Sequence, residues 1–135
     1  TNSLYSGKGS DTMTGGATTD KYIFSSVAKS NGNDTITNFE NAKDVIALSF
    51  ASGSKDAVGT TRVNGSVTED ASHNFTVAGK LTAVDFGNYV QDISYNDAAG
   101  TADDYALITL VGGDTIKLTG ITSGIDMNDF VYSLS

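Results

Sequence analysis

The sequence predicts an all-β domain in which a short parallel β-roll leads into an antiparallel β-sandwich that caps it. Three features favour this fold. The N-terminal region repeats every nine residues, later segments alternate apolar and polar side chains, and the acids are fourteen Asp against two Glu. Asp favours turns over helix interiors. The 135 residues are predicted to form one domain, with the roll in residues 1–49 and the cap in residues 50–135.

The repeat is clearest in residues 6–14 and 15–23, which follow one another without a gap. Asp11 and Asp20 occupy the same position in the two units, and the frame extends backwards to Asn2. The pattern is Gly-Gly-x-Gly-x-Asp-x-apolar-x, which is typical of a turn followed by a very short strand. Two units complete one coil, so the equivalent turns of successive coils are expected to stack.

Each turn has the chemistry of a calcium ligand set. Calcium prefers about six to eight oxygen ligands, and glycine reaches positive φ without steric cost, which lets backbone carbonyls converge. The Asp of each unit adds a charge and a side-chain oxygen. We therefore expect each calcium ion to lie between two stacked turns, because one turn supplies too few oxygens.

A looser copy of the unit, residues 30–37, leads into the apolar segment 43–49. The order of segments 22–24, 34–39 and 44–49 resembles the last repeats of the RTX (repeat-in-toxin, hemolysin-type calcium-binding) family. The resemblance covers the N-terminal part of the chain. It implies a β-roll with calcium in its turns, closed by a C-terminal sheet similar to the one predicted here.

The resemblance also implies which residues bind the ions. In that family each ion takes carbonyl and Asp oxygens from two stacked turns. One ion is thus expected between a turn with Gly7, Gly9 and Asp11 and the turn that contains Asp34. In the next turn, Gly15, Ala17 and Asp20 are expected to face the turn of Asn2. Gly16, Thr18 and Asp20 are expected to contribute to a further site.

Three residues depart from the repeat pattern. Ser6 replaces the first Gly, Thr18 replaces the fourth-position Gly, and Asn2 replaces an Asp. Thr18 would need a turn conformation that is costly for a β-branched residue, and Asn2 carries no charge. We therefore expect one or two ions, bound with modest affinity.

After the repeats, residues 43–50 are predicted as a strand and residues 51–54 as a turn. Residues 56–73 are difficult to interpret. The dipeptide Asn64-Gly65 is a strong hairpin signal, so short strands are expected on either side of it.

Residues 74–78 alternate apolar and polar side chains and are predicted as a strand, whereas residues 81–86 are compatible with a strand or one helical turn. Residues 89–95 are predicted as a further strand, followed by the polar loop 96–104. Asp103 and Asp104, together with Asp97 or Asp92, are an alternative calcium site. Solvated loop acids are the simpler interpretation.

The clearest hairpin joins residues 105–111 to residues 114–119 through Gly112-Gly113. Its second arm alternates apolar and polar residues, so one face is expected to be buried. Gly112-Gly113-Asp114 also resembles a repeat turn. It lacks the fourth-position Gly and lies between two strands, which favours the hairpin.

The C-terminal residues 129–135 have two compatible interpretations. An acidic and then hydrophobic ending resembles the uncleaved signals of RTX proteins, which implies export by the type I secretion machinery and a secreted, extracellular location. The other interpretation is that Phe130 to Leu134 form the last strand. The sequence does not open with a charged and then apolar segment. It has no apolar run near the ~20 residues that span a bilayer, so membrane insertion is not expected.

The composition argues against other functions. A Ser nucleophile needs a neighbouring base, and the single histidine, His73, has no partner that the sequence identifies. Zinc sites use His or Cys, and the chain has no Cys. Seven Lys and one Arg are scattered singly, which disfavours a nucleic-acid partner. We predict that the chain is not an enzyme.

The sequence thus predicts a calcium-binding RTX-type C-terminal module that folds on binding calcium after secretion. Its Thr, Ser and Asn content favours a role in self-assembly of a surface layer or adhesin at the cell surface. A second interpretation is the folding and export tail of a secreted protease, lipase or polysaccharide-modifying enzyme. A third is a calcium-dependent carbohydrate-binding module that binds a cell-surface glycan.

Overall fold

A computed structural model describes residues 2–27, 29–96 and 104–135. Within these residues the chain forms eleven strands and one α-helix, so it is mostly β, as predicted. The strands are β1 (Asn2–Tyr5), β2 (Thr12–Thr14), β3 (Asp20–Ser25), β4 (Asn33–Thr37), β5 (Val45–Phe50), β6 (Ser66–Glu69), β7 (Phe75–Ala78), β8 (Val90–Asn96), β9 (Tyr105–Leu110), β10 (Thr115–Thr119) and β11 (Phe130–Leu134). The helix α1 spans Ala83–Tyr89, and a 3₁₀ helix spans Met127–Asp129.

The first five strands alternate between two sheets. In sheet A, β1, β3 and β5 lie side by side, whereas β2 and β4 lie together in sheet B. Each of these neighbouring pairs is parallel. Each return of the chain to a sheet therefore adds a strand beside the previous one and brings successive turns together.

The number of residues that separates neighbouring coils increases along the chain. Asn2 pairs with Asp20, eighteen residues later, as the nine-residue period predicts. Asp11 and Asp34 are 23 residues apart, and Asp20 and Asp44 are 24 apart, yet both pairs are in hydrogen-bond contact. The repeat therefore continues into β4 and β5 with extra residues between the strands.

The last two strands join the sheets of the first half. β10 pairs in parallel with β4, and β11 pairs in parallel with β5. The predicted hairpin is confirmed, because β10 also pairs antiparallel with β9, which pairs antiparallel with β8. Residues far apart in the sequence thus complete the same two sheets.

The main core consists of apolar side chains from both sheets. Its fully buried members include Tyr22, Phe24, Ile36, Leu48, Ile116 and Phe130. In β10, Ile116 and Leu118 are buried while Thr115, Lys117 and Thr119 are only half-buried, as the alternation predicted. A second cluster, Ile23, Val45, Ala47, Val67 and Val131, joins sheet A to the β6–β7 hairpin.

The prediction of a hairpin at Asn64-Gly65 is wrong. The hairpin of this region joins β6 to β7 through residues 70–74. Gly65 instead donates its N–H to the Tyr132 carbonyl at 2.8 Å. A Cβ on Gly65 would lie 2.4 Å from the Cβ of Val131, so the glycine permits close backbone approach to β11.

Residues 81–86, for which the sequence allowed a strand or one helical turn, lead into and overlap the helix α1. Thr82 caps the N-terminus of α1 by accepting the Asp85 N–H at 3.2 Å. The predicted strand at residues 89–95 is present as β8. Across the described parts of the chain, the helices are all too short or too polar to cross a membrane.

Candidate metal centre

The first glycine-rich turn, residues 6–11, stacks on the turn formed by residues 29–34. Gly9 and Gly32 both have positive φ, at +94° and +86°. A Cβ on Gly32 would lie 2.5 Å from the Gly9 carbonyl oxygen. The close contact of the two backbones therefore requires glycine at position 32, both for its conformation and for its size.

Two carboxylates meet at this pair of turns, as predicted. The Asp11 N–H donates to Asp34 Oδ1 at 2.8 Å. The second oxygens, Oδ2 of Asp11 and Oδ2 of Asp34, are buried and have no hydrogen-bond partner among the described residues. Gly7 lies beside this site, since a Cβ on it would be 3.9 Å from Asp11 Oδ2. Two orphaned carboxylate oxygens are thus placed next to glycine-rich backbone.

The electrostatics of this site are unfavourable without a cation. Burial raises the pKa of the Asp34 carboxyl, and the negative charges of Asp11 and Asp114 raise it further, against the lowering effect of the Asp11 N–H. The ion pairs among the described residues do not include Asp11 or Asp34. A bound cation would relieve both the repulsion and the desolvation.

The second turn, residues 15–20, has a different backbone conformation. Gly15, Gly16 and Thr18 do not have positive φ, whereas Gly7 and Gly9 do. The costly conformation expected for Thr18 is therefore not adopted. The loss of the fourth-position glycine changes the turn, so the two turns are not equivalent.

The carboxylate of the second turn already has donors. Asp20 Oδ2 accepts the Gly16 N–H at 2.7 Å. Asp20 Oδ1 accepts the Asn2 side-chain amide at 2.7 Å and the Asn2 N–H at 3.2 Å. The predicted proximity of this turn to Asn2 is thus observed, with an amide donor beside the carboxylate.

The carbonyls of the second turn also have donors. The side-chain amide of Asn38 donates to the carbonyls of Gly15 and Gly16, both at 3.2 Å, and the Lys43 ammonium donates to the carbonyl of Ala17. Of the predicted ligands, Gly7, Gly9, Asp11 and Asp34 are therefore brought together at one turn pair. Gly15, Gly16, Ala17, Thr18 and Asp20 form a separate, hydrogen-bonded turn.

The sequence analysis did not identify Asp44 as a site residue. Asp44 follows Asp20 in the series of stacked turns, as Asp20 follows Asn2. The Asp20 N–H donates to Asp44 Oδ1 at 2.8 Å, and the Glu40 N–H donates to Asp44 Oδ2 at 2.9 Å. The signal was the motif Asp44-Val45-Ile46, which repeats Asp34-Thr35-Ile36. Burial, with the charges of Asp20 and Glu40, raises the pKa of Asp44 from 3.8 to about 6.

The raised pKa of Asp44 predicts a pH dependence in calcium-free buffer. The folded state holds this proton more tightly than the unfolded state, so the stability contribution is full below about pH 4 and declines as pH rises through about 6. The whole loss is on the order of 3 kcal/mol, and roughly 1–1.5 kcal/mol of it falls between pH 5 and pH 7.5. Thermal unfolding at these two pH values measures that part. In Asp44→Asn the difference between the two pH values should shrink, and an unchanged difference contradicts the assignment.

Asp114 was also missed as a neighbour of the first turn pair. Its Oδ2 accepts the Asn31 N–H at 3.1 Å, and the next residue, Thr115, donates its N–H to the Gly32 carbonyl at 3.2 Å. The Gly112-Gly113 turn is a hairpin, as predicted. It also brings a carboxylate beside the turn of Asp34.

The remaining candidates are not part of this site. His73 lies in the loop between β6 and β7, is largely exposed, and pairs with Glu69 at 2.7 Å. In the alternative acidic site, Asp97 and Asp103 lie outside the described residues, while Asp104 is buried.

The first turn pair brings two carboxylates next to the backbone of Gly7, Gly9 and Gly32, and the Gly7 carbonyl also accepts the Ser6 hydroxyl at 3.4 Å. In residues 2–27, 29–96 and 104–135, no group of three or more His, Cys, Asp or Glu side chains is arranged to hold a metal ion. The chain matches no protein-family model, no curated protein and no solved structure.

Proposed function

We propose that the chain is a calcium-binding module of the RTX type whose N-terminal coils are stabilised by an ion between Asp11 and Asp34. The observation that carries the proposal is the pair of buried, unpartnered carboxylate oxygens at two stacked glycine turns. A native protein rarely leaves buried carboxylate oxygens without a partner. A cation is the partner that also removes their mutual repulsion.

Calcium fits this donor set better than other common metals. The available donors are oxygens, which suit hard cations, and neither Cys nor His lies in the turns. Calcium accepts irregular geometry and backbone carbonyls, whereas magnesium demands near-octahedral geometry and retains its waters. Asp11 and Asp34 would supply charge, and the carbonyls of the Gly7 and Gly9 region would supply neutral ligands.

The fold we propose is a β-roll, with the second half of the chain as its cap. The alternation of β1 to β5 between two parallel sheets supports the roll. The antiparallel strands β8 and β9 extend sheet B, and the β6–β7 hairpin packs on sheet A, which supports a capping role for residues 50–135.

The biological role follows from linkage between binding and folding. A ligand that binds only the folded state stabilises it by RT ln(1 + [L]/Kd). The module would be loose at low cytoplasmic calcium and ordered at the high concentration outside the cell. We propose type I secretion in an unfolded state, extracellular folding, and assembly at the cell surface as part of a surface layer or adhesin.

The position of the C-terminal segment fits export before folding. Phe130, Val131 and Tyr132 are buried in β11. A secretion signal in residues 129–135 would therefore be accessible only in the unfolded chain. Two alternatives make different predictions. An export tail of a secreted enzyme should stay monomeric, and a calcium-dependent glycan-binding module should be retained on a glycan.

Calcium titration of the chelator-treated protein tests the proposal. The apparent melting temperature should rise with calcium and much less with magnesium. Asp34→Asn should abolish most of the rise, because it removes one of two charges at the ion, whereas Asp70→Asn, in the exposed β6–β7 loop, should leave it intact. Circular dichroism gives the stability, and sedimentation shows whether calcium drives self-assembly. A wild-type protein indifferent to calcium refutes the proposed function.

A further inference from the structure

The positively charged side chain of Lys43 lies beside the second turn, between the backbone of the turn and the acidic side chain of Glu40. Its Nζ donates to the Ala17 carbonyl and lies 2.7 Å from Oε2 of Glu40. The hydrogen bond that Lys43 donates to Glu40 raises the pKa of Lys43 most, and the charges of Glu40, Glu69 and Asp44 raise it further, against the lowering effect of burial. One ammonium group thus contacts a turn carbonyl and a carboxylate together.

Asn38 completes the set of donors at this turn. Its backbone has φ of +64°, a conformation that Asn tolerates better than most residues, and its amide contacts the carbonyls of Gly15 and Gly16. Three successive carbonyls of the second turn therefore accept hydrogen bonds from side chains. At the first turn pair, by contrast, two carboxylate oxygens have no partner.

The second turn also has one polar group without a partner. Tyr22 is completely buried, and its hydroxyl has no hydrogen-bond partner among the described residues. It points at the turn, because a Cβ on Gly15 would lie 1.9 Å from Tyr22 Oη and 2.6 Å from Asp20 Oδ2. The Tyr22 hydroxyl is therefore an oxygen without a partner beside the Asp20 carboxylate of this turn.

We propose that the Lys43 ammonium is a built-in cation that holds the second turn without a metal ion, and that a calcium ion replaces it when its charge is removed. The inference rests on the proposed function of the first turn. It implies that one edge of the roll depends on calcium while the other does not. The replacement ion would take the Ala17 carbonyl and the Glu40 carboxylate, the two groups that Lys43 contacts.

Lys43→Met tests this, because methionine keeps most of the aliphatic chain and removes the charge. Isothermal titration calorimetry with calcium should show one more bound ion per chain in Lys43→Met than in wild type. In chelator the variant should melt below wild type, and calcium should restore most of the difference. Lys55→Met removes an exposed ammonium elsewhere and should match wild type. Lys43→Arg, which keeps the charge, should also gain no ion.

The background of Asp34→Asn separates this inference from the proposed function. Asp34→Asn alone should bind calcium only weakly, and Asp34→Asn combined with Lys43→Met should gain one ion relative to it. If the double variant does not fold, the stoichiometry of the single Lys43→Met variant decides. If the wild type binds calcium and Lys43→Met binds the same number of ions per chain, only the inference is overturned. A wild-type protein that binds no calcium refutes the proposed function, and the inference with it.

Discussion

Gly32→Ala is expected to destabilise the protein by roughly 2–5 kcal/mol and to weaken calcium binding at least tenfold. Two costs add at this position. An alanine at φ of +86° is strained, and its Cβ would lie 2.5 Å from the carbonyl oxygen of Gly9. The clash is with backbone, so the two stacked turns have to separate, and separation moves Asp34 away from Asp11. Chemical denaturation and calcium titration measure the two effects.

Gly59→Ala is the matched control for this prediction. Gly59 has φ of +92°, nearly the same conformation, but a Cβ there would meet no atom within 4 Å. It should cost only the strain of the left-handed backbone, about 1–2 kcal/mol, and leave calcium affinity unchanged. If Gly32→Ala and Gly59→Ala behave alike, the stacking of the turns does not determine the site.

The first turn pair is predictable from the sequence because its information is local. Glycine at fixed spacing and an Asp two residues before an apolar side chain indicate which turns stack, and Asp11 does meet Asp34. The donors at the second turn are not predictable in this way. Asn38 and Lys43 lie outside the nine-residue unit, and their contacts with residues 15–17 depend on how the chain between β4 and β5 folds back.

The arrangement of the C-terminal half also could not be read from periodicity. An alternating segment such as β10 shows that one face is buried, but it does not specify a neighbour. β4 and β5 find their outer neighbours in β10 and β11, about eighty residues later in the chain. Such pairings depend on loop geometry and on the shape of the core. The Asn64-Gly65 signal misled because Gly65 serves close packing against β11.

A buried ionic network holds this C-terminal strand in place. The Arg62 guanidinium donates to both oxygens of Asp85, through Nε at 2.9 Å and Nη2 at 3.1 Å. The Tyr132 hydroxyl of β11 donates to the same carboxylate at 2.5 Å. Arg62 also lies over the ring of Phe50, 4.0 Å from its centroid. The network therefore joins the loop before β6, the helix α1 and the strands β5 and β11.

Arg62→Ala is expected to lower the free energy of unfolding by roughly 3–5 kcal/mol, because it leaves the charge of Asp85 buried and unpaired. The Asp85 side chain is 1 % exposed, so water cannot replace the guanidinium without rearrangement. Arg62→Lys should recover only part of the loss, since an ammonium does not reproduce the two-point contact. Glu69→Gln, which removes the exposed pair with His73, should change little.

Among the described residues, no hydrogen bond connects this network to Asp11 or Asp34, so stability and calcium binding should separate in Arg62→Ala. Denaturation in chelator and in saturating calcium should show the same loss relative to wild type, while the calcium affinity of the folded variant stays that of wild type. If calcium abolishes the loss of stability in Arg62→Ala, the first turn pair, and not the buried ion pair, fixes the C-terminal strand. A loss below about 1 kcal/mol would mean that water or another donor takes the place of the guanidinium at the Asp85 carboxylate.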